Sequence, residues 1–399
     1  MTRIAIVNTC ISGSTGKIAV GLHDYLRKHQ VDVFFCYGRE DGPTEDTYYR
    51  IGNTLDFILH IGLTRVFGLQ GFGSLLATRK LIGFLKKQKI NVVYIISPHG
   101  YYLNEKGLLS YLSANNIKTI YLMIDEYAFS GKCPYQNGCE EIYDRCRKCP
   151  QKKAYPQSLI FDGASKIYGM KKKQYKKFKD ITFVGPEYVV NQAKKSPLMT
   201  DMRFSVLDEA INTNFFSPRD PQVLINELKI DGSKKILLNV APYSVARKGC
   251  RFFLELARRF QYSEEYVFIQ VGFDVDKNMM NLPQNYIPIG FVSDQEKLAQ
   301  YYSLADLFVF PSLQDTMPNA CLEALSSGTP LLCFNTSGLP FIADNTVATF
   351  VEAENVDKMV EYVREMKKKT DDEVLKCRNY AMKRYDNQLY YKNLIELAK

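Results

Sequence analysis

The stretch from Ala305 to Phe334 constrains the fold of this chain more than any other part of the sequence. ADLFVF, at Ala305–Phe310, has the uninterrupted apolar character of a buried parallel strand. Pro318 suits the first turn of a helix, because its missing N–H would be unpaired there in any case, and a helix is predicted for Asn319–Ser327. Thr329–Phe334 forms the next strand. This strand–helix–strand order predicts a parallel sheet covered by helices.

Two acidic residues flank the start of that helix. Asp315 lies in the loop at the carboxyl end of the strand, and Glu323 lies about one turn into the helix. Ligands of open α/β sheets bind at that edge, and helix N-termini favour phosphate. A carboxylate that holds vicinal hydroxyls beside amides that face an anion suits a sugar attached to a nucleotide diphosphate. The alternative is a pair of solvated acids at an ordinary strand-to-helix junction.

Strands and helices alternate along the rest of the chain, and 399 residues suffice for two domains. We predict an α/β protein with two Rossmann-like domains facing a central cleft, at residues 1–185 and 200–384. The predicted strands of the first half are Arg3–Asn8, Asp32–Tyr37, Asn91–Ser97, Lys118–Met123 and Ile181–Val184. Those of the second half are Arg203–Leu207, Lys235–Val240, Tyr266–Val271, Tyr286–Gly290 and Leu307–Phe310.

The composition is that of a soluble globular protein, with 46% hydrophobic and 24% charged residues. No apolar run reaches about 18 residues, so no transmembrane helix is predicted. The start, MTRIAIVNTCISGSTG, is a strand and a Gly-rich turn, which does not resemble a signal peptide. These features predict a cytoplasmic protein.

The net charge of +9 is concentrated in a basic run at Lys166–Lys179. A solvated helix face is one interpretation of this run, and attraction to an anionic membrane surface is another. In the second case the interspersed apolar residues would insert shallowly; they are Ile167, Tyr168, Met170, Tyr175 and Phe178. Nucleic acid is a weaker alternative, because no recognised binding motif accompanies the charge.

Four cysteines cluster in the pattern C-x5-C-x6-C-x2-C, at Cys133, Cys139, Cys146 and Cys149. Thiolates at a C-x2-C step can reach one tetrahedral Zn²⁺, and a full set of four would leave no open position for catalysis. A structural zinc loop is therefore predicted, and four reduced thiols are the alternative.

Further polar residues follow predicted strands at the ligand edge. Arg247 and Lys248 precede Gly249 at a helix start, where two cations can bind a diphosphate. A tight turn follows the first strand and could approach a phosphate or sugar closely; it consists of Gly13, Ser14, Thr15 and Gly16. His99 and Asp125 follow two other strands of the first domain. Exposed bases, an ordinary turn and a structural histidine are the simpler interpretations.

Several segments together resemble the family-four retaining glycosyltransferases, which have the GT-B fold. PSLQDTMPNACLEALSSGTP is similar to the acid-x7-acid motif of that family, with Asp315 in place of the usual Glu. GFVSDQEKLAQYYSLADLFVFPS is similar to its nucleotide-base segment, and LDEAINTNFFSP resembles its Asn-Gly-Ile-Asp turn. HGYYLN and DEYAFSGKCPY resemble a bacterial surface-polysaccharide subgroup, although Ile124 replaces a His there. Tyr243 stands where the family often has an Arg, five residues before Lys248.

The resemblance implies a retaining hexosyltransferase that moves a sugar from a nucleotide-diphosphate sugar to a glycan or lipid-linked acceptor in polysaccharide synthesis. It implies no catalytic metal and no nucleic-acid partner, and it returns the C-terminal helix, at about 385–399, to the first domain. The enzyme would lie in the cytoplasm or peripherally on the inner face of the plasma membrane. The alternatives are a GT-B nucleotide-sugar epimerase and a non-enzymatic zinc-loop protein that binds nucleic acid.

The same resemblance implies a set of site residues. Catalytic roles fall to Lys248, Arg247, Asp315, Asp125 and His99. Donor contacts fall to Glu323, Gly13, Ser14, Thr15, Gly16, Val292, Gly249, Met317, Pro318 and Asn319. Within this set Lys248 and Gly249 would hold the diphosphate, Glu323 the ribose, Asp315 the donor sugar, and the backbone near Val292 the base.

Overall fold

The chain forms two compact units in a computed structural model that describes residues 2–274 and 281–398. The first unit comprises Met1–Leu207 with Tyr391–Lys399, and the second comprises Asp208–Tyr390. The change from one unit to the other thus falls at Leu207, whereas the sequence predicted a crossing between residues 185 and 200.

The first unit contains a parallel sheet with helices between its strands. Its described strands are β1 (Arg3–Asn8), β2 (Asp32–Tyr37), β3 (Tyr48–Arg50), β4 (Val92–Ile95), β5 (Lys118–Leu122), β6 (Ile181–Gly185) and β7 (Arg203–Val206). Its described helices are α1 (Gly13–Lys28), α2 (Thr54–Phe67), α3 (Leu75–Lys87), α4 (Glu105–Ala114), α5 (Ala164–Tyr175) and α6 (Glu187–Lys195). The strand at Arg203 pairs with β6, so its predicted place in the second domain is wrong.

The second unit repeats this architecture. Its described strands are β8 (Lys235–Val240), β9 (Tyr266–Val271), β10 (Tyr286–Ile289), β11 (Leu307–Phe310), β12 (Leu331–Phe334) and β13 (Ala348–Val351). The described helices that follow α6 are α7 (Gln222–Leu228), α8 (Cys250–Arg259), α9 (Gln295–Leu304), α10 (Asn319–Ser326), α11 (Val356–Glu365), α12 (Asp371–Tyr385) and α13 (Asn387–Ala398). The tail from Val356, predicted as helical, is thus divided into three helices.

The strand order locates the ligand edge of each unit. The described strands of the first sheet lie in the order β3-β2-β1-β4-β5-β6-β7, and those of the second in the order β10-β9-β8-β11-β12-β13. In such doubly wound sheets the connections reverse direction between the two central strands, and the crevice beyond their carboxyl ends binds ligands. That point lies between β1 and β4 in the first unit and between β8 and β11 in the second.

Alternating side chains of the second sheet enter opposite layers of the core. Phe308 and Phe310 of β11 lie in the cluster that contains Leu322 of α10. Leu307 and Val309 lie in the cluster formed with α8. A strand that is apolar on both faces is therefore covered by a helix layer on each side, which explains the continuous apolar run in the sequence.

The last helix contributes its end to the first unit. The hydroxyl of Tyr94 on β4 donates a hydrogen bond of 2.8 Å to the backbone carbonyl of Leu394. The Leu394 side chain is fully buried. Gly21 lies so close to Tyr391 that a Cβ there would lie 1.9 Å from the tyrosine oxygen. These contacts link α13 to the central strand and to α1.

Replacement of Leu394 by Ala should lower the free energy of unfolding of the first unit by roughly 2–5 kcal/mol, because a buried side chain leaves a cavity. Leu389→Ala on the same helix is the matched control, since Leu389 is exposed, and its effect should stay within about 0.5 kcal/mol. Urea unfolding measures both variants. Equal midpoints for the two would contradict the docking of α13 on the first unit.

Candidate active site

The loops after β8 and β11 are joined closely in the second unit. Gly249 has a φ of +68° and ends the short turn that carries Arg247 and Lys248. A Cβ at Gly249 would lie 1.7 Å from the carbonyl oxygen of Pro311, so only glycine permits this approach. The amide of Leu313 donates to the carbonyl of Arg247 at 2.7 Å. The glycine thus brings the predicted cations to the loop of the first predicted acid.

Asp315 lies against both cations. Its Oδ1 is 3.1 Å from Nη1 of Arg247 and 3.0 Å from Nζ of Lys248, and its Oδ2 is 3.0 Å from the same Nζ. Ser312 also donates to Oδ2, at 2.8 Å. The side chain of Asp315 is 9% exposed, whereas Arg247 and Lys248 keep 24% and 17% exposure. The cluster carries one positive charge in excess, and both cations keep some access to solvent.

Backbone contacts fix the position of that carboxylate. The amide of Asp315 donates to the hydroxyl of Ser337 at 3.1 Å, and its carbonyl accepts from the amide of Gly338 at 2.9 Å. A Cβ at Gly338 would lie 1.8 Å from the carbonyl of Thr316. The loop after β11 is therefore held by the loops after β8 and β12. A phosphate oxygen that approached the cations would meet donors whose geometry is already set.

The second acid lies on the helix that follows this loop. Glu323 is buried on α10, and its Oε2 accepts a hydrogen bond of 2.8 Å from the hydroxyl of Tyr302 on α9. Pro318 has extended backbone and precedes the helix, with Asn319 as the first helical residue. Met317 is buried, and its sulfur accepts from the amide of Glu209. The predicted helix start is thus found, with Glu323 held by a tyrosine.

Two other predicted donor positions lie near the same sheet. Val292 follows β10 and packs, half-buried, against the core of the second unit. Tyr243, which stands where the resembling family often has Arg, packs on Phe273 with ring centroids 4.6 Å apart. The guanidinium near the carboxylate therefore comes from Arg247.

The first unit has its own polar cluster beyond β1 and β4. The hydroxyl of Thr9 donates to the carbonyls of Ser97, at 2.9 Å, and of His99. Gly100 has a φ of +109°, and a Cβ there would lie 2.5 Å from Thr9. These contacts join the ends of the two central strands and place His99 at the ligand edge.

The predicted glycine turn follows Thr9 and begins α1. Gly13 has a φ of +70°, and a Cβ at Gly16 would lie 2.4 Å from the backbone of Ile11. The amides of Ile11 and Ser12 donate to the carboxylate of Glu40 at 3.1 and 3.0 Å. Partial desolvation raises the pKa of Glu40, but hydrogen bonds from the Ser12 hydroxyl and from these two amides outweigh it, so the pKa is lowered overall. The turn therefore presents amides to an anion, supplied here by the chain itself.

His99 and Asp125 lie in direct contact. Nε2 of His99 is 2.9 Å from Oδ2 of Asp125, and its Nδ1 is 3.2 Å from the hydroxyl of Tyr155. Oδ1 of Asp125 accepts from the amide of Tyr127 at 2.9 Å. The carboxylate therefore orients an imidazole whose second nitrogen meets a tyrosine. Both predicted residues of this pair come together as neighbours.

Several residues of these clusters were not singled out from the sequence. Tyr155 reaches His99 from the cysteine-containing segment, 56 positions along the chain. Ser312 and Tyr302 hold the two acids of the second unit, and Glu40 meets the glycine turn. Each is a common polar residue without a motif, and only the folded chain brings it to its partner. Ser312 lies two positions after the end of β11, and that position was the one available signal.

The four clustered cysteines lie in the first unit. The thiols of Cys133 and Cys149 share a hydrogen bond, which lowers the pKa of Cys149 to about 7. Burial raises the pKa of Cys146 to about 11. Within residues 2–274 and 281–398, no three or more His, Cys, Asp or Glu side chains are arranged to hold a metal ion. The zinc loop therefore stays a prediction.

The basic run at Lys166–Lys179 differs from its predicted form. Ile167, Tyr168, Met170 and Tyr175 are buried, so the prediction that they insert into a membrane is wrong. They are buried because α5 packs them into the first unit. Lys171 is also buried, and its ammonium lies 3.3 Å from the ring centroid of Tyr127. Burial lowers the pKa of Lys171 to about 8. The run exposes lysines but little apolar surface.

The comparisons with known proteins agree with this architecture. Residues 234–368 match the family described as glycosyl transferases group 1. The chain is 22% identical over 376 residues to the putative colanic acid biosynthesis glycosyl transferase WcaC of Escherichia coli (strain K12), covering 88% of this chain and 87% of that protein.

Two further proteins are similar to this chain, one in the sequence of a shorter segment and the other in its fold. The chain is 27% identical over 197 residues to the UDP-Gal:alpha-D-GlcNAc-diphosphoundecaprenol alpha-1,3-galactosyltransferase of Escherichia coli, covering 45% of this chain and 49% of that enzyme. Anabaena Alr3699/HepE, solved in complex with UDP, superposes with a TM-score of 0.68 at 12% identity, covering 100% of this chain and 99% of that one.

The two doubly wound units, with their clusters beyond the central strands, define a protein of the GT-B class. Residues 234–368, within the second unit, are similar to the glycosyl transferases group 1, and the chain is a glycosyltransferase. This conclusion sets aside the non-enzymatic alternative raised by the zinc-loop pattern.

The buried carboxyl of Glu126, next to Asp125, should make the stability of the chain depend on pH. Burial raises its pKa from 4.5 to about 7, so the folded chain binds its proton more tightly than the unfolded chain does. The resulting stabilisation is complete below about pH 4.5 and disappears as the pH rises through 7. Between pH 5 and pH 8, Glu126→Gln should therefore become more stable relative to the native chain, by roughly 2 kcal/mol.

Urea unfolding at both pH values measures this difference. Glu264→Gln is the control, because Glu264 is exposed in the second unit, and its stability should follow the native profile. Parallel pH profiles for Glu126→Gln and the native chain would show that the buried carboxyl does not titrate in this range.

Proposed function

We propose that this glycosyltransferase moves a hexose from a uridine diphosphate sugar to a lipid-linked or glycan acceptor in surface-polysaccharide synthesis, with retention of configuration. The names of the relatives support this proposal, since they include a colanic acid transferase and a galactosyltransferase that acts on a diphosphoundecaprenol-linked sugar. The structural relative HepE was solved with UDP, which supports uridine as the base. The reaction would take place on the cytoplasmic side of the membrane.

The observation that carries the proposal is the charged cluster of Arg247, Lys248 and Asp315 beyond β8 and β11. It lies where doubly wound sheets bind nucleotides, and its two cations carry more charge than its one carboxylate neutralises. In the reaction, negative charge grows on the departing diphosphate. Fixed cations beside that charge would stabilise the transition state more than the ground state.

Asp315 would act first by holding the cations in place. Each of its oxygens already accepts two hydrogen bonds in this structure, from Arg247, Lys248 and Ser312. The approach of a diphosphate would draw the cations partly from the carboxylate and leave an oxygen for a hydroxyl of the donor sugar. The predicted contact with the sugar and the observed contact with the cations would thus be two states of one side chain.

Glu323 would bind the ribose. Tyr302 donates to one of its oxygens at 2.8 Å and thereby sets the orientation of the carboxylate. An ionised carboxylate has two acceptor oxygens and can therefore accept a hydrogen bond from each of two vicinal hydroxyls. Because Arg247 and Lys248 supply the positive charge at the diphosphate, turnover would need no added Mg²⁺ or Mn²⁺.

In the first unit, His99 and Asp125 would contact the sugar that reacts. Asp125 holds Nε2 of the imidazole at 2.9 Å, so that Nδ1, which here contacts the Tyr155 hydroxyl, would be the nitrogen presented to a sugar hydroxyl. The amides around Gly13 already meet a carboxylate, which supports a role for this turn beside an anionic or hydroxylated ligand. The proton of the acceptor would pass to the departing phosphate oxygen on the same face of the sugar.

Lys248→Ala should reduce kcat/KM with a UDP-hexose by about 100-fold or more, because one contact to the developing anion is lost. The fold should persist, since Asp315 keeps its contacts with Arg247 and Ser312. Release of UDP from the donor, followed with a coupled assay, measures the rate.

The matched control is Lys297→Ala, which removes a surface lysine paired with Glu227 in the same unit. This variant should keep the native kcat/KM. A folded Lys248→Ala protein whose kcat/KM lies within about threefold of the native value would remove Lys248 from the reaction.

A further inference from the structure

One helix of the first unit exposes an unusual amount of apolar surface. Helix α2, TLDFILHIGLTRVF, carries only Asp56 and Arg65 as acidic or strongly basic side chains. Leu55, Ile58 and Leu59 recur at helical spacing and form one exposed stripe along it. A helix that is apolar nearly all round is normally buried or in contact with lipid. The exposed stripe is therefore expected to be covered by another molecule or by lipid.

The start of α3 extends this stripe. Leu75 and Leu76 are exposed in its first turn. They are held beside α2 because Nδ1 of His60 lies 2.9 Å from the hydroxyl of Ser74, while Nε2 accepts from the amide of Gly71 at 3.2 Å. Burial lowers the pKa of His60 to about 4, so the imidazole is neutral and can accept that bond.

A third segment adds to the other end of α2. The amide of Leu159 donates to the carbonyl of Arg65 at 2.6 Å, and the amide of Phe161 donates to that of Val66 at 2.9 Å. The ring of Phe161 stacks on Phe67 with centroids 5.6 Å apart and planes 4° from parallel. The segment thus continues the surface of the helix.

Together these residues form what we term the α2 apolar face. Its eight most exposed members are each between 55% and 65% exposed; they are Leu55, Ile58, Leu59, Leu75, Leu76, Leu159, Ile160 and Phe161. Single exposed apolar side chains are normal on any protein, but a continuous group from three adjoining segments marks an interaction surface.

The charges around this face indicate the kind of partner. Four exposed cations and one half-buried lysine lie on its three segments or near them: the exposed ones are Arg65, Arg79, Lys80 and Lys166, and the half-buried one is Lys152, which donates to the carbonyl of Ile160. The neighbouring acids are engaged, since Asp56 caps α2 through the amide of Asn53 and Asp162 accepts from the amide of Cys149. If a second copy of the chain covered this face, the cations of the two copies would repel each other. An anionic surface would attract the same cations.

We propose that the α2 apolar face is the surface by which this enzyme docks on an anionic lipid bilayer. The leucines, Ile58, Ile160 and Phe161 insert to the depth of the headgroups, and the surrounding cations bind lipid phosphates. No helix in the described part of the chain is long and apolar enough to cross a membrane. Docking through this face differs from docking through the Lys166–Lys179 run, whose apolar residues are buried.

The face leads to the candidate site of the first unit. Phe57 of α2 packs against Tyr101 with centroids 6.0 Å apart, Tyr101 against Tyr155 at 6.0 Å, and Tyr155 against His99 at 5.9 Å. If the acceptor is lipid-linked, which rests on the proposed function, this aromatic row would guide its sugar from the bilayer to His99. Docking itself requires no turnover and can be tested separately.

Flotation with vesicles tests the docking surface. The native chain should float with vesicles of phosphatidylethanolamine and phosphatidylglycerol, in a salt-sensitive manner, and much less with phosphatidylcholine alone. Leu55→Ser combined with Leu59→Ser should lower the partition coefficient about tenfold or more, since both side chains lose their apolar contact. Arg79→Gln combined with Lys80→Gln should weaken binding and reduce its dependence on salt.

The matched control is Val223→Ser combined with Leu375→Ser, which removes two equally exposed apolar side chains of the second unit. This control should float as the native chain does. UDP binding by isothermal titration calorimetry should be unchanged in every variant, so a failure of donor binding and a failure of docking are distinguishable.

Three results would overturn the proposal. One is a native chain that floats with neither type of vesicle. Another is that the Leu55→Ser and Leu59→Ser double variant floats as well as the native chain. Loss of flotation in a Lys176→Gln and Lys177→Gln double variant would then assign docking to the lysine run. The last is a native dimer in analytical ultracentrifugation that the leucine substitutions convert to a monomer, because a second copy would then cover the face.

Discussion

The candidate site depends on a single carboxylate that is shared by two cations. Asp315 is nearly buried, and a buried charge without a partner would cost several kcal/mol. Arg247 and Lys248 supply that partner, and the carboxylate in turn reduces their mutual repulsion. The arrangement is possible because Gly249 and Gly338 allow three loops to approach within the distance that a Cβ would occupy. The two cationic side chains are therefore already in position where a diphosphate would bind.

The two units use the same topology for different chemistry. In each, polar residues follow the two central strands, where the doubly wound order leaves room for a ligand. The second unit places cations there, with Glu323 on the helix that follows, and so suits a nucleotide diphosphate. The first unit places there an imidazole held by a carboxylate, with Tyr127 and Tyr155 against it, which suits neutral sugar hydroxyls.

Much of the fold could be predicted from the sequence, because its parallel strands are apolar on both faces and are separated by glycine-rich turns. Strands such as Arg3–Asn8 and Lys235–Val240 have the predicted bounds. The strand at Arg203 was assigned to the wrong unit, since strand pairing depends on the order of the sheet and not on local pattern. Tyr155 and Tyr302 could not be found, because long-range packing alone brings them to His99 and Glu323. Membrane insertion by the Lys166–Lys179 run was predicted wrongly for a related reason. Most of its apolar residues face the core, and composition does not show which way a side chain faces.

The most direct test of this account is a crystal structure of the chain grown with UDP in the presence of a chelator. Both units have a ligand edge of the same type, so the position of the diphosphate distinguishes between them. The account predicts diphosphate oxygens at about 3 Å from Nζ of Lys248 and from the guanidinium of Arg247, with the ribose hydroxyls on Glu323. A diphosphate bound instead beyond β1 and β4, at the amides near Gly13, would contradict it.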